Sequence, residues 1–228
     1  MRVGFAIVCV LALKGGWVLA QDDTVERAEH GTVPYQFGFA ALNASSSNAN
    51  NTGATMVLGA GGATGGVTVY STSTWNSFPY GNLNTFALVN NALRGFYEDG
   101  TWAINATSVN PGDALTWIAS RMYSAPQEKN AVYSIISSIR HEGGGSEVEN
   151  SDSPGGGGRY PILAAYGKTD LWSLCPDKSS SRPQTRLVYD VPSISDPPPS
   201  WLTFDPKSCY GVVVNVVPVS HGGNGAGA

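Results

Sequence analysis

The sequence has little charge of either sign. Charged residues make up 13% of the chain, the formal net charge is -4, and the thirteen lysines and arginines are scattered and form no cluster. Recognition of a nucleic-acid backbone requires clustered basic side chains that release counterions. The composition therefore excludes nucleic acid as a partner.

Long apolar runs are absent beyond the N-terminus. The most apolar later stretch, Val212–Val219, is interrupted by Asn215 and Pro218. A membrane-spanning helix needs about 20 apolar residues, and residues 220–228 are too polar and glycine-rich for a lipid-anchor signal. No later segment is therefore expected to enter a membrane.

The first twenty residues have the composition of a secretory leader. Arg2 provides a positive charge, residues 3–13 form a short apolar run, and Ala20 is a small residue before a cleavage point at Gln21. The sequence predicts a signal peptide over residues 1–20 and a secreted protein, extracellular or in the cell wall. The alternative is an N-terminal membrane anchor.

Cysteine is also scarce, with three residues in the chain. Cys9 leaves with the leader, and Cys175 and Cys209 remain. An even number in an exported chain predicts one disulfide, which on the chain-entropy model contributes about 4 kcal/mol for a loop of this length. The alternative is two unrelated buried thiols.

Catalytic and metal-binding motifs are missing. The histidines are His30, His141 and His221, all in or beside polar segments, and there is no G-x-S-x-G, H-x-x-x-H or C-x-x-C motif. The sequence therefore predicts no catalytic triad, metal site or cofactor. For a glycoside hydrolase, Glu98-Asp99 is a poor pair because adjacent strand residues point to opposite faces. Four other acids could converge in space, namely Asp113, Asp170, Asp190 and Asp205.

Short runs rich in Val, Thr, Tyr, Phe and Trp recur along the chain, separated by Gly, Asn, Ser and Pro. This pattern predicts β-strands and turns. Strands are expected at Tyr35–Leu42, Thr55–Leu58, Val67–Ser71, Thr85–Val89, Leu93–Glu98, Thr101–Asn105, Ala114–Met122, Tyr160–Ala165, Leu171–Leu174, Thr185–Val191 and Tyr210–Val217. The fold class is all-β, a single-domain antiparallel sandwich or partly closed barrel over residues 32–220.

Three segments are expected to be flexible because they cannot bury enough apolar surface to offset their ordering entropy. These are the acidic residues 21–31, a glycine-rich insertion at residues 141–159 and the tail at 221–228. Asp99-Gly100 predicts a tight hairpin turn that pairs the strands on either side. The stretch Gln127–Ile139 fits a short helix or a strand equally well.

Two further patterns indicate surface chemistry. N-glycosylation sequons begin at Asn43, Asn50 and Asn105, in agreement with export. Aromatic residues crowd a polar, turn-rich stretch, and flat rings beside hydroxyl and amide groups suit a saccharide-binding surface. The candidate carbohydrate-binding residues are Tyr70, Trp75, Phe78, Tyr80 and Trp201. The alternative is that these rings pack against the ends of the sheets.

Two blocks of the sequence resemble a known family. They are QFGFAALNA at residues 36–44 and LWSLCP, LVY and SCYGV between residues 171 and 212. Together with FALVNNAL at residues 86–93, they are similar to the PhiA-like family of fungal phialide cell-wall and IgE-binding proteins. The family commonly has Phe where Val212 stands and Asp-Gly or Asn-Gly where this chain has Asn91-Ala92. The resemblance implies a disulfide between Cys175 and Cys209 and a non-enzymatic role in the wall of a filamentous fungus.

These observations favour a secreted, glycosylated, non-enzymatic protein of the fungal wall or host interface, like an effector, elicitor or antigen. Its expected partners are wall polysaccharide or an extracellular host protein. One alternative is a carbohydrate-binding module that uses the surface aromatics. Another is a glycoside hydrolase whose acids meet only in the folded chain.

Overall fold

The computed structural model describes residues 26–64, 66–97, 102–120, 127–139, 160–178 and 183–219. Thirteen strands are found in these ranges: β1 Glu26–His30, β2 Phe37–Asn43, β3 Ala54–Thr64, β4 Val67–Thr74, β5 Phe86–Val89, β6 Ala92–Phe96, β7 Trp102–Ala106, β8 Thr116–Ala119, β9 Tyr133–Ile139, β10 Ile162–Ala165, β11 Trp172–Pro176, β12 Thr185–Tyr189 and β13 Tyr210–Pro218. Three 3₁₀-helices cover Glu128–Asn130, Val191–Ser193 and Pro206–Ser208. The all-β prediction is confirmed.

The strands form a closed antiparallel barrel. Nine strands make the ring, in the order β2, β5, β6, β7, β8, β4, β12, β11 and β13, and β13 pairs with β2 along residues 212–218 to close it. β3 pairs with both β2 and β4, while β10, β9 and β1 extend the sheet from β13. Of the two predicted architectures, the barrel is therefore the one found, and it is fully closed.

Aromatic side chains fill the interior of the barrel. The rings of Phe39 and Phe86 stack at 4.7 Å between centroids, and Phe86 stacks on Trp117 at 4.9 Å. All three are buried. The indole Nε1 of Trp117 donates to Thr72 Oγ1 at 2.7 Å. The single hydrogen-bond donor of this buried side chain is therefore satisfied inside the core.

The turn between β5 and β6 shows how the hairpins are made. Asn90 and Asn91 have φ values of 50° and 61°, which are the positive angles that a two-residue hairpin turn requires. Asparagine tolerates this region better than most residues. β6 and β7 also pair antiparallel, as predicted. Their proposed turn, Asp99-Gly100, lies outside the described residues.

Two strands differ from the prediction in length or existence. β3 runs on through Gly59–Thr64, where the glycines favoured a turn, because β4 pairs with it up to Val67, with a shift of register between Ala60 and Gly62. From Ala60 onward β3 pairs only with β4 among the described residues. β1 lies within the segment 21–31 that was expected to be flexible, and the order comes from five paired positions along β9.

The stretch 127–139, which fitted helix or strand, contains both. A 3₁₀-helix occupies Glu128–Asn130, and β9 follows from Tyr133. Tyr133 and Ile135 are buried in the core, and their alternation with Ser134 follows the two-residue period of a strand. The insertion at 141–159 and the tail at 221–228 lie outside the described residues.

Cys175 and Cys209 form the disulfide that the sequence predicted. Cys175 is a buried residue near the end of β11, and Cys209 follows the last 3₁₀-helix. The bond therefore ties β11 to the start of β13, where the two strands also pair. No helix in the described ranges is long and apolar enough to cross a bilayer.

Candidate functional site

The first part of the candidate site is the turn that follows β4. The backbone N–H of Trp75 donates to Thr55 O at 2.8 Å, and the N–H of Ser77 donates to Thr74 O at 3.1 Å. Ser77 Oγ then accepts the N–H of Thr185 at 2.9 Å. These bonds fasten the turn to β3 and to the start of β12, so the exposed Trp75 stands on a rigid base.

The second part is the loop that carries Trp201. Lys178 N–H donates to Thr203 O at 2.9 Å, and Asp177 forms a β-bridge with Phe204. Asp177 in turn donates its N–H to Gln184 O at 2.8 Å. The Trp201 loop is thereby attached to the same end of the β11–β12 pair as the Trp75 turn.

Three of the five predicted aromatic residues are well exposed. Trp75, Tyr80 and Trp201 have 52%, 76% and 60% of their surface in contact with solvent. We call these three residues the aromatic rim. Phe78 is half-buried and packs edge-on against Tyr80, with ring centroids 5.9 Å apart. Tyr70 packs against the hydrophobic core and is not part of the rim.

The surroundings of the aromatic rim are close to neutral. Residues 31–93, which include the Trp75 turn, contain no Asp, Glu, Lys or Arg. On the Trp201 side, Arg186 lies 2.7 Å from Asp177 and Lys178 lies 3.0 Å from Asp205. The Lys178 ammonium and the backbone N–H of Lys207 hold the pKa of Asp205 below its ordinary value. Opposite charges on this side therefore largely compensate each other.

Sequence reasoning missed two residues at this end of the barrel. Tyr210, next to the disulfide at the start of β13, has 41% of its surface exposed. Gln184 is buried, accepts Ser73 Oγ at 2.9 Å and donates to Ala60 O at 2.9 Å, so it braces β4 and β3 beneath the turn. Gln184 has no sequence signal of its own. Alternation along β13 places Tyr210 on the same face as the buried Val212 and Val214, so its exposure could not be predicted from the pattern.

The four acids considered for hydrolysis do not form one group. Asp170 and Asp190 lie near Tyr189, where desolvation and then these charges raise the tyrosine pKa. Asp113 lies near Tyr133, whose pKa is raised by burial, then by Tyr166 and Asp113. Tyr166 also raises the pKa of Tyr189, and Asp113 O accepts the Tyr189 N–H. Asp113, Asp170 and Asp190 therefore lie in one region of the molecule.

Asp205 is the fourth acid, and it belongs to the aromatic side of the molecule through its ion pair with Lys178. The other predicted pair, Glu98-Asp99, lies outside the described residues. A separate open pocket of about 320 Å³ lies beside the β5–β6 turn, where Arg94 and Glu128 are among its lining residues.

His30 is the only predicted histidine within the described ranges; His141 and His221 lie outside them. Its Nε2 is 3.0 Å from Ser137 Oγ on the exposed β1–β9 pair. No carboxylate of the described residues is within 4.0 Å of this imidazole, and these residues contain no group of three or more His, Cys, Asp or Glu that could hold a metal.

Fold and site together define a closed, disulfide-linked β-barrel protein with exposed aromatic residues at one end of the β11–β12 pair. A scan against protein-family models finds no match, and searches of curated proteins and of solved structures find no significant match either.

Proposed function

We propose that the protein is exported and acts outside the cell as a non-catalytic barrel that binds neutral wall polysaccharide through the aromatic rim. The observation that carries the proposal is the exposure of Trp75, Tyr80 and Trp201 on a surface with little net charge. The Trp75 turn belongs to a stretch of sequence without charged residues, and the charges on the Trp201 side are paired with opposite ones. Indole and phenol rings cover the apolar faces of sugars, and nearby amide and hydroxyl groups hold sugar hydroxyls.

The rigidity of the two loops supports this function. Immobilised rings lose little conformational entropy when a ligand binds, so the binding free energy is not spent on ordering them. The Trp75 turn is fixed by its backbone bond to Thr55 of β3 and by Ser77 Oγ, which accepts the N–H of Thr185. The Trp201 loop is fixed by the bond from Lys178 N–H to Thr203 O, just after β11. The predicted leader, the sequons and the PhiA-like resemblance support a location in the wall of a fungal cell.

The test is depletion of the purified protein from solution by insoluble chitin or β-glucan. We expect the wild type to bind at least one of them, and Trp75→Ala and Trp201→Ala each to weaken binding about tenfold or more, as for central aromatic contacts in interfaces. Trp75→Phe retains a ring and should retain most of the binding.

Tyr166→Ala is the matched control, because Tyr166 is 52% exposed like Trp75 but packs beside Tyr189, at the opposite end of β12 from the Thr185 that holds the Trp75 turn. Binding should be the same in low and high salt, because screening has little effect on a neutral contact. Equal loss in Trp75→Ala and Tyr166→Ala, or no binding of the wild type to either polymer, would contradict the proposal.

A further inference from the structure

The three sequons have different surroundings in the folded chain. An N-glycan is attached to Asn Nδ2, and its bulk requires open space around that atom. Asn43 and Asn50 flank the exposed connection between β2 and β3, whereas Asn105 lies inside β7. Asn43 is itself the last residue of β2 but is only half-buried, so the burial of Asn105 within β7 is the first sign that the sequons are not equivalent.

At Asn43 and Asn50 the side-chain oxygen accepts hydrogen bonds, whereas the side-chain nitrogen donates none to the described residues. Asn50 Oδ1 accepts the N–H groups of Thr52 and Gly53 at 3.0 and 2.7 Å. Asn43 Oδ1 accepts the N–H groups of Ser45 and Ser46 at 2.8 and 3.1 Å. With the oxygen held in a local turn, Nδ2 of each residue makes no hydrogen bond within the described part of the chain.

Asn105 is more deeply buried than Asn43 and Asn50. Only 8% of its surface is exposed, and its backbone lies between Arg94 on β6 and Ile118 on β8. The hydroxyl residue of the same sequon, Thr107, donates both its N–H and its Oγ1 to Thr116 O. Because Ile104 and Ala106 face the core, Asn105 lies on the outer face of β7, and a glycan there would have to displace the groups that cover this residue.

We propose that Asn43 and Asn50 are the N-glycosylation sites of the folded protein and that Asn105 remains unmodified. This inference rests on the export that we propose above. The glycans would then both emerge from the β2–β3 connection. That connection leads into Thr55, whose carbonyl accepts the Trp75 N–H, so the glycans would border the aromatic rim.

The test uses residues 21–228 behind a heterologous secretory leader in a yeast that attaches N-glycans, so it does not depend on the native leader. Asn43→Gln and Asn50→Gln should each remove one glycan, and the double variant should migrate like enzymatically deglycosylated protein. Asn105→Gln, the matched control, should leave the glycan number unchanged. Mass spectrometry of the disulfide-bonded material should find modified peptides only from the β2–β3 connection.

A glycan on Asn105 in disulfide-bonded protein would overturn the inference, and so would folded, exported protein in which Asn43 or Asn50 is bare. Export by the native leader is measured separately, by comparing medium and cell fractions of the unaltered chain. Retention in the cell would contradict the proposed function. The glycan pattern under the heterologous leader would still test the assignment of the glycosylation sites independently.

Discussion

The aromatic residues of this barrel fall into two sets that differ in almost every physical respect. Phe39, Phe86 and Trp117 stack on each other in the interior, where Trp117 is fully buried and its only donor is satisfied. Trp75 and Trp201 stand on hydrogen-bonded loops with more than half of their surface in solvent. The first set stabilises the fold, whereas the fold already holds the second set in place without burying it.

The largest expected effect on stability is that of Trp117→Ala. Removing a buried tryptophan costs about 3–5 kcal/mol of unfolding free energy, while changes at exposed sites such as Trp75→Ala stay within about 0.5 kcal/mol. Urea unfolding of both variants measures the difference. Equal midpoints for the two would show that the interior stack does not stabilise the barrel.

A second test extends the comparison to charged residues that are neighbours in sequence. The Asp177 side chain is almost fully buried and pairs with Arg186, whereas Lys178 pairs with Asp205 in solvent. Arg186→Met leaves a buried carboxylate without its cation and should cost about 3 kcal/mol. Lys178→Met should change stability little, because exposed pairs contribute little. Urea midpoints that shift equally would contradict this difference.

The smallest effect concerns Asp205. Its folded pKa is lowered by Lys178, so its stabilising contribution is present above the ordinary carboxyl pKa and is lost as pH falls through the lowered value. Asp205→Asn should therefore unfold slightly more easily than the wild type at neutral pH and equally easily in strong acid. A difference between the two urea midpoints that increases on acidification would contradict this prediction.

Much of the fold could be predicted from the sequence because β-branched and aromatic runs mark strands locally. Barrel closure could not, since the long β13–β2 pairing joins residues far apart in the chain. β3 was underestimated because Gly59–Gly62 resembles a turn, although a paired neighbour holds it extended. β1 depends in the same way on its partner β9.

The candidate site was predicted less completely. The sequence located Trp75, Tyr80 and Trp201, but it did not separate them from Tyr70. The reason lies in β4, where a run of serine and threonine follows Tyr70 and is buried throughout. Without hydrophobic alternation, the face on which a ring of this strand lies cannot be determined.

The glycine-rich part of β3 has a consequence for how the molecules behave when crowded. Beyond Ala60, whose carbonyl accepts a bond from Gln184, the residues Gly62–Thr64 pair with β4 alone among the described residues, and this stretch contains no charged residue and no proline. An unprotected strand border offers its amides to any extended neighbour, whereas β1 carries Glu26, Arg27 and Glu29. In concentrated solution, contact between molecules should begin at this bare border.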